Sequence, residues 1–296
     1  MTLTAEDHQA AAAAIRATRA RRARRSAIIK HFFLASCTLI MIYPLIWLFM
    51  SSLKPDNQIF GDLSLWPSAF QWNNYPEGWN GLYISFGTFF KNSAFVTILA
   101  VIGNVVSCSF AAYAFARLEF KGRTILFALM MMTLMIPYHV VLIPQYLLFL
   151  QAGWVNTYLP LIVPKFLAAD AFFVFLMIQF FRQLPRDLDE AAMIDGCSPF
   201  KIYWAIIIPL SLPALATAAI FTFIYTWEDF LGPLIYLTDI HDYTVPLALR
   251  SFLAQDSVSQ YGQMFAISVL SILPIILFFV FFQKFIIRGI AMSGLK

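Results

Sequence analysis

Long apolar stretches without charged residues recur along the chain and are separated by polar segments. Residues 124–164 contain no Asp, Glu, Lys or Arg, but this stretch is too long for one membrane span of about 20 residues. The polar residues 151–156 divide it, so we predict one span near 124–150 and another near 157–181. Four further stretches lack these four residue types, namely residues 32–53, 92–116, 202–227 and 257–283. The pattern therefore predicts an all-α membrane protein with six transmembrane helices.

The distribution of basic residues predicts the orientation of these spans. If the N-terminus is cytoplasmic, all but four of the 20 Lys and Arg residues fall on the cytoplasmic side. The exceptions are Lys54, Lys91, Lys165 and Arg250. Positive charge is enriched in the cytoplasmic segments of membrane proteins, so both termini are predicted to be cytoplasmic. The first apolar run is longer than the roughly 7–15 residues of a signal-peptide core, which favours an uncleaved span.

Composition narrows the possible function classes. The chain is 60% hydrophobic and only 12% charged, whereas soluble domains average about 25% charged residues. These values exclude a disordered chain, a nucleic-acid-binding protein and an ordinary cytosolic enzyme. The basic cluster at residues 16–25 adjoins the first span, and we interpret it as an orientation signal that contacts anionic lipid headgroups.

The sequence contains no recognisable catalytic or metal-binding motif. It lacks a GxxxxGK[ST] phosphate-binding loop, an HExxH zinc motif and a GxSxG nucleophile motif. The three cysteines have no CxxC spacing. We therefore expect no catalytic residue, no metal ligand and no cofactor in this chain.

The polar segment between the predicted fourth and fifth spans has the pattern of two short helices joined by a turn. Pro185 and the acidic residues after it favour a helix start, because carboxylates interact favourably with the positive end of the helix dipole. Gly196 suits the turn that ends this helix. Ser198 is a good N-cap for the next helix, with Pro199 at its first position.

The spacing in this segment resembles that of ABC importer permease subunits. The family pattern is E-A-A, three residues, G, nine residues and I-x-[LI]-P, and it is matched here by Glu190, Ala191, Ala192, Gly196, Ile206, Ile208 and Pro209. Ile208 stands where leucine is usual, a substitution that conserves volume. The alternative is a helical hairpin without a function.

The resemblance covers most of the chain beyond the N-terminal tail and is strongest to the carbohydrate, maltose-type branch. It includes Asn92 and Ser93 at the predicted start of the second span, and residues 113–123, 135–137 and 227–230. Glu228 is a departure, because the family usually has Asn at this position. The difference would alter the charge of the pathway at that point.

The resemblance implies a mechanism in which this chain works with several partners. A second permease subunit would complete the pathway, a dimer of ABC ATPase subunits would bind ATP and Mg²⁺, and an extracytoplasmic sugar-binding protein would deliver the substrate. Two adjacent small side chains would allow close docking of the segment against the ATPase. The residues implied in this ATPase coupling are Glu190, Ala191, Ala192, Asp195, Gly196, Ser198 and Pro199. The C-terminal residues 293–296 would also reach the ATPase pair.

These inferences give a domain organisation and a location. We predict a basic cytoplasmic tail at residues 1–31, a six-span domain at residues 32–288 and a cytoplasmic tail at residues 289–296. The cytoplasmic coupling segment is residues 184–205. The expected location is the cytoplasmic (inner) membrane of a prokaryote.

Charged residues within the predicted spans are candidates for the translocation pathway. A charge at the centre of a bilayer costs on the order of 2.5–3.5 kcal/mol on insertion scales, so such side chains face protein or water. The charged candidates are Asp170, Glu228 and Asp229, and Trp227 joins them from the motif at residues 227–230. Carboxylates accept hydrogen bonds from sugar hydroxyls. The alternative is an ion pair that stabilises the bundle, formed by Lys165 with Asp170 or with Glu228.

Two other functions are compatible with an apolar, multi-span chain. An ion-coupled secondary transporter would use intramembrane carboxylates such as Asp170 and Glu228, and it would show inverted repeats. We find no convincing internal repeat, and this function leaves residues 190–209 without a role. A membrane scaffold without transport activity is the third possibility. Only the importer requires a stoichiometric ATPase partner.

Overall fold

The structure is a computed structural model that describes the backbone of residues 5–62, 64–254 and 260–293. Side chains are described for residue 22 and residues 24–62, 64–252 and 260–286. Over these residues the regular structure is entirely helical. The predicted C-terminal contact at residues 293–296 and the start of the predicted sixth span at residues 257–259 fall wholly or partly outside this part of the chain.

Fifteen α-helices are formed by the described residues. They are α1 (Ala5–Ser51), α2 (Asp56–Ile59), α3 (Asn74–Asn80), α4 (Phe86–Arg117), α5 (Arg123–Thr133), α6 (Tyr138–Gln151), α7 (Leu159–Ile162), α8 (Ala171–Gln183), α9 (Asp187–Ile194), α10 (Pro199–Ile202), α11 (Ile208–Leu210), α12 (Leu212–Trp227), α13 (Leu231–Tyr236), α14 (Val245–Ala254) and α15 (Tyr261–Ser293). Short 3₁₀ helices lie at Val163–Leu167 and Ile240–Asp242, and a π-helical turn lies at Tyr203–Ile207.

Four helical stretches in the described residues are long and apolar enough to cross a membrane. They are Arg24–Ser51, Phe86–Arg117, Leu159–Gln183 and Tyr261–Ile286. Two bent helix pairs bring the number to six if each pair is one span: α5 with α6, bent by 102°, and the helical stretch Pro199–Leu210, which contains α10 and α11, with α12, bent by 77°. The chain is therefore a multi-pass membrane protein with four to six candidate spans.

Proline explains where the two bent pairs break. Pro137 immediately precedes α6, and Pro209 and Pro213 flank the break at Ser211. A proline has no N–H to donate and disfavours helical geometry in the residue before it, so a helix tends to end there. By contrast, the α-helices α6 and α15 continue through Pro144 and Pro274.

Helix α4 differs from the prediction in its starting point. The charge-free stretch begins at Asn92, but α4 begins six residues earlier at Phe86 and includes Lys91. The Asn92 amide donates to the carbonyls of His241 and Tyr243, at 2.7 and 3.0 Å. Tertiary contacts therefore stabilise the first turns of a helix that the apolar pattern alone does not include.

The centre of the bundle is α4, which packs against α8, α12 and the 3₁₀ helix at Val163–Leu167. Small residues such as Ala112 and Ala116 allow close packing in one buried cluster that also contains Phe173, Met177 and Tyr203. At Gly103 an added Cβ would lie 2.5 Å from the Phe166 ring, so glycine permits this close approach. Burial of these side chains positions the elements that form the two sites described next.

Candidate functional site

The predicted coupling segment forms a helix, a turn and a second helix. Helix α9 begins at Asp187, two residues after Pro185, and carries three acidic residues in its first turn. Gly196 has φ of +78°, a left-handed conformation that glycine adopts without steric cost. The Ser198 hydroxyl accepts a hydrogen bond from the Lys201 N–H at 3.3 Å, and Pro199 is the first residue of α10. The predicted turn and cap are confirmed as local geometry.

The two alanines of this segment lie on different faces of α9. Ala191 is exposed, whereas Ala192 is buried in the chain's own core cluster with Ile202 and Tyr203. Adjacent helical residues point about 100° apart, so both cannot face the same neighbour. The expectation that both alanines dock on another surface is therefore wrong for Ala192.

The exposed face of the segment combines acidic side chains with large apolar ones. Glu190 and Asp195 are exposed, together with Met193, Ile194 and Phe200. Ile194 has 87% of its surface exposed. Apolar side chains at this level of exposure, rimmed by polar residues, are typical of a surface that binds another protein.

Arg117 connects α4 to the coupling segment, a role that the sequence analysis did not identify. Its guanidinium donates to the Asp189 carboxylate at 2.9 Å and to the carbonyls of Phe181 and Leu184 at 2.6 and 2.9 Å. The Arg117 side chain is 3% exposed and that of Asp189 15% exposed. The available sequence signals were the position of this arginine directly after the apolar residues 92–116 and its place in residues 113–123, which resemble the permease family.

Two more side chains of α4 bond to the same segment. The Tyr113 hydroxyl donates to the Pro199 carbonyl at 2.9 Å. The hydroxyls of Ser109 and Tyr203 are 2.7 Å apart and share a buried hydrogen bond. These side chains and Arg117 recur at every fourth position, which places them on one face of the helix.

A cavity of 530 Å³ lies farther along α4. Its walls come from α4, α6, the irregular segment between α7 and α8, and the region of α12 and α13. Its polar lining includes Ser93, Thr97, Tyr138, Gln145, Lys165, Asp170, Tyr225, Thr226, Asp229 and Tyr236. Hydroxyl, amide and carboxylate groups of this kind can exchange hydrogen bonds with a polyhydroxylated ligand.

Two of the predicted pathway residues, Asp170 and Asp229, line this cavity. The Lys165 ammonium donates to Asp170 at 2.8 Å, so one of the two predicted ion pairs is formed and its members face the cavity. Asp229 accepts a hydrogen bond from the Gly232 N–H at 3.0 Å. Each carboxylate therefore has one partner and retains further acceptor capacity.

Trp227 and Glu228 occupy different positions from those expected of pathway residues. Trp227 is 4% exposed and donates to the Ser271 carbonyl at 3.0 Å. It stacks on Phe223 within a second buried cluster of the chain. Glu228 is exposed. Of the described residues, the cavity takes Tyr225 and Thr226 from the last turn of α12 and Asp229 from the linker between α12 and α13. The structure thus gives Trp227 a packing role.

Comparison with known proteins adds an independent observation. Residues 103–292 match the family model described as binding-protein-dependent transport system inner membrane component. This stretch includes the C-terminal part of α4, the whole coupling segment and all but the last residue of α15.

Individual relatives match over nearly their whole length. The arabinooligosaccharides transport system permease protein AraQ of Halalkalibacterium halodurans is 34% identical over 87% of this chain and 92% of that protein. The trehalose/maltose transport system permease protein MalG of Thermococcus litoralis is also 34% identical, with the same coverage. A solved bacterial ABC transporter for import of the acidic polysaccharide alginate shares the fold, with a TM-score of 0.77 and 23% identity over 89% of this chain and 97% of the matched chain.

Proposed function

We propose that this chain, which belongs to the family of binding-protein-dependent transport system inner membrane components, is the permease subunit of an ABC importer for a sugar or oligosaccharide. The observation that carries the proposal is the 34% identity, over 92% of their lengths, to relatives named for arabinooligosaccharide and trehalose/maltose transport. Family membership gives no support to the ion-coupled transporter. Both the coupling segment and the cavity have a role in an importer.

In the proposed topology the six spans place both termini in the cytoplasm. Each bent pair then counts as one span, and the coupling segment lies on the cytoplasmic side with the basic loops. The excess of Lys and Arg in these segments supports this orientation. The location is the cytoplasmic (inner) membrane of a prokaryote, in contact with membrane lipid.

The proposed partners are a second permease subunit, a dimer of ABC ATPase subunits and an extracytoplasmic sugar-binding protein. The exposed side chains of the coupling segment form the surface for the ATPase, with Glu190 available to a basic group and Ile194 and Phe200 to an apolar cleft. ATP and Mg²⁺ are bound by the ATPase partner, and this chain is not itself an enzyme.

The cavity is the proposed contribution of this chain to the translocation pathway. Asp170 and Asp229 accept hydrogen bonds from sugar hydroxyls, and the Tyr138, Tyr225 and Tyr236 rings lie nearby in its wall. Aromatic rings offer apolar faces to sugar rings while their hydroxyls remain available for hydrogen bonding. The second permease subunit supplies the opposite wall.

Reconstitution of the complete complex in proteoliposomes tests this function. We expect ATP-dependent uptake of an oligosaccharide or related polyol that requires the binding protein, together with a stoichiometric ATPase after purification. A complex whose ATP hydrolysis responds to amino acids or phosphate and to no carbohydrate would show that the substrate class is wrong. Purification of the chain without any ATPase would contradict the importer itself.

A further inference from the structure

Helix α4 is attached to the coupling segment along its last three turns. Ser109, Tyr113 and Arg117 bond to Tyr203, Pro199 and Asp189, which belong to three successive parts of the segment. We propose that Arg117 is a positioning residue that fastens the coupling segment to α4, so that α4 transmits movement of the segment to the cavity. This inference rests on the proposed function and adds the route of transmission within this chain.

The contacts of Arg117 are suited to holding two elements together. The Nη1 nitrogen of the guanidinium donates to Asp189 in α9. The Nη2 nitrogen donates to the carbonyls of Phe181 and Leu184 at the end of α8. The planar fork of arginine presents several donors in fixed directions, which a lysine ammonium does not. Because the side chain is 3% exposed, its charge-assisted bonds are little weakened by water and salt.

Helix α4 is a stiffer route from the segment to the cavity than the one through α11 and α12. Helix α8 joins the same two sites directly, and Arg117 fastens its end to α4 as well. Helix α4 is a continuous helix of 32 residues without proline, and Ser93 and Thr97 on it line the cavity. At 1.5 Å per residue, about 30 Å separates Arg117 from Thr97. The route through α11 and α12 is interrupted twice. A π-helical turn precedes α11, and a 77° bend at Ser211 separates α11 from α12, so the regular hydrogen bonding is broken at both points.

Contacts beside the cavity extend this route to a charged pair. The Ser107 hydroxyl of α4 donates to the Lys165 carbonyl at 2.8 Å and accepts from the Ala168 N–H at 3.1 Å. Gly103 of α4 packs against the Phe166 ring. A displacement of α4 therefore acts directly on the segment that carries Lys165 and Asp170.

The test measures how much substrate the reconstituted complex transports per ATP hydrolysed. We expect R117Q to lower this ratio on the order of tenfold, a typical size for coupling between two sites, with the ATPase still bound. R117K should be intermediate, because it keeps the charge without the fork. The matched control is R182Q, the same replacement at an exposed arginine next to Phe181, and it should keep the wild-type ratio.

A second set of variants separates positioning from a general packing role. Since Arg117 and Asp189 act as one unit, the double variant R117Q/D189N should be no worse than R117Q, whereas independent residues would multiply their effects. Y113F removes one hydroxyl and should lower the ratio by a smaller factor than R117Q. A wild-type ratio in both R117Q and D189N overturns the inference.

The remaining outcomes are also decisive. If R117Q does not assemble with the ATPase, D189N and R117K decide: a lowered ratio in assembled complexes supports the inference, and a wild-type ratio in both overturns it. Failure of the wild-type complex to transport any carbohydrate in a binding-protein-dependent manner contradicts the proposed function before any variant is compared. The two failures are therefore distinguishable.

Discussion

At the scale of single residues, Gly196 shows how a backbone conformation is encoded. Its φ is +78°, and among the described residues no atom beyond Gly196 and its two chain neighbours lies within 4 Å of the point where a Cβ would stand. The cost of a side chain at this position therefore comes from the left-handed backbone and not from a steric clash with a neighbour. Residues differ in this cost, and asparagine tolerates the conformation better than β-branched residues do.

We expect Gly196→Val to weaken the turn by about 1–2 kcal/mol and Gly196→Asn to weaken it by less. The measurements are thermal unfolding of the solubilised complex and ATP hydrolysis stimulated by the binding protein. Equal losses in the two variants would contradict an explanation based on the backbone conformation.

Glu190 is exposed on α9 and is available to a basic group on the ATPase. We expect Glu190→Lys to weaken ATPase binding by about 1–3 kcal/mol, with a smaller loss at high salt because surface charges are screened. A pull-down of the ATPase at two salt concentrations measures this. Asp62 is an exposed acid between the first two predicted spans, a segment that the proposed topology places outside the cell, and it provides the charge-reversal control Asp62→Lys. Unchanged ATPase retention in Glu190→Lys would remove Glu190 from the interface.

At the scale of elements, α9 is amphipathic over only eight residues. Ala192 faces the core cluster of its own chain and Ala191 faces outward. Asp189, on the buried side, is held by Arg117 of α4. One face of the helix is therefore fixed to the bundle, and the other face is free to bind a partner. A movement of the bound partner would then be passed to the bundle.

The two faces of α9 predict opposite effects for a matched pair of substitutions. Ala192→Phe should overpack the core and destabilise the chain by about 1–3 kcal/mol. Ala191→Phe should leave the stability of the chain unchanged and impair ATPase docking. Unfolding of the isolated chain and retention of the ATPase distinguish these effects. Destabilisation of the chain by Ala191→Phe alone would show that the two faces have been exchanged.

At the scale of the whole molecule, α4 is the central helix of the bundle. The predicted membrane topology places its C-terminal end on the cytoplasmic side. Its C-terminal end contacts the coupling segment, and its cavity-lining residues Ser93 and Thr97 lie nearer the opposite end. Exposed aromatic residues Trp66, Phe70, Trp72 and Tyr83 lie in the loop region before α4. Such residues favour a membrane–water interface, so we expect part of this segment to lie along the membrane.

Cysteine labelling tests the topology at two fully accessible positions. In a background with Cys37, Cys108 and Cys197 replaced, we expect Tyr83→Cys to react with an impermeant reagent added outside. In the chain produced without the ATPase, which would otherwise cover this position, Ile194→Cys should react only after permeabilisation. These side chains are 100% and 87% exposed, so a difference in labelling reports the side of the membrane. Labelling of Ile194→Cys from outside would reverse the proposed orientation.

The sequence by itself determined the features that depend on local physics. The apolar lengths indicated the membrane spans, and Gly196, Ser198 and Pro199 indicated a turn followed by a capped helix. The identities of Glu190, Ala191, Ala192 and Gly196 were sufficient for the resemblance to a transport family, which the family match bears out. Each of these signals lies within a few residues or within one span, so no long-range contact was needed to detect it.

Only the tertiary structure decided which residues meet. Arg117 and Asp189 are 72 positions apart, and nothing in the apolar pattern pairs them. The cavity combines side chains from several helices, and the linker after α12 places Asp229 in its wall while Trp227, at the end of α12, is buried in the core. The bend between α5 and α6 could be located from Pro137, but its angle of 102° depends on packing. Long-range contacts of this kind depend on the relative placement of whole helices, which hydrophobic periodicity and local propensity do not specify.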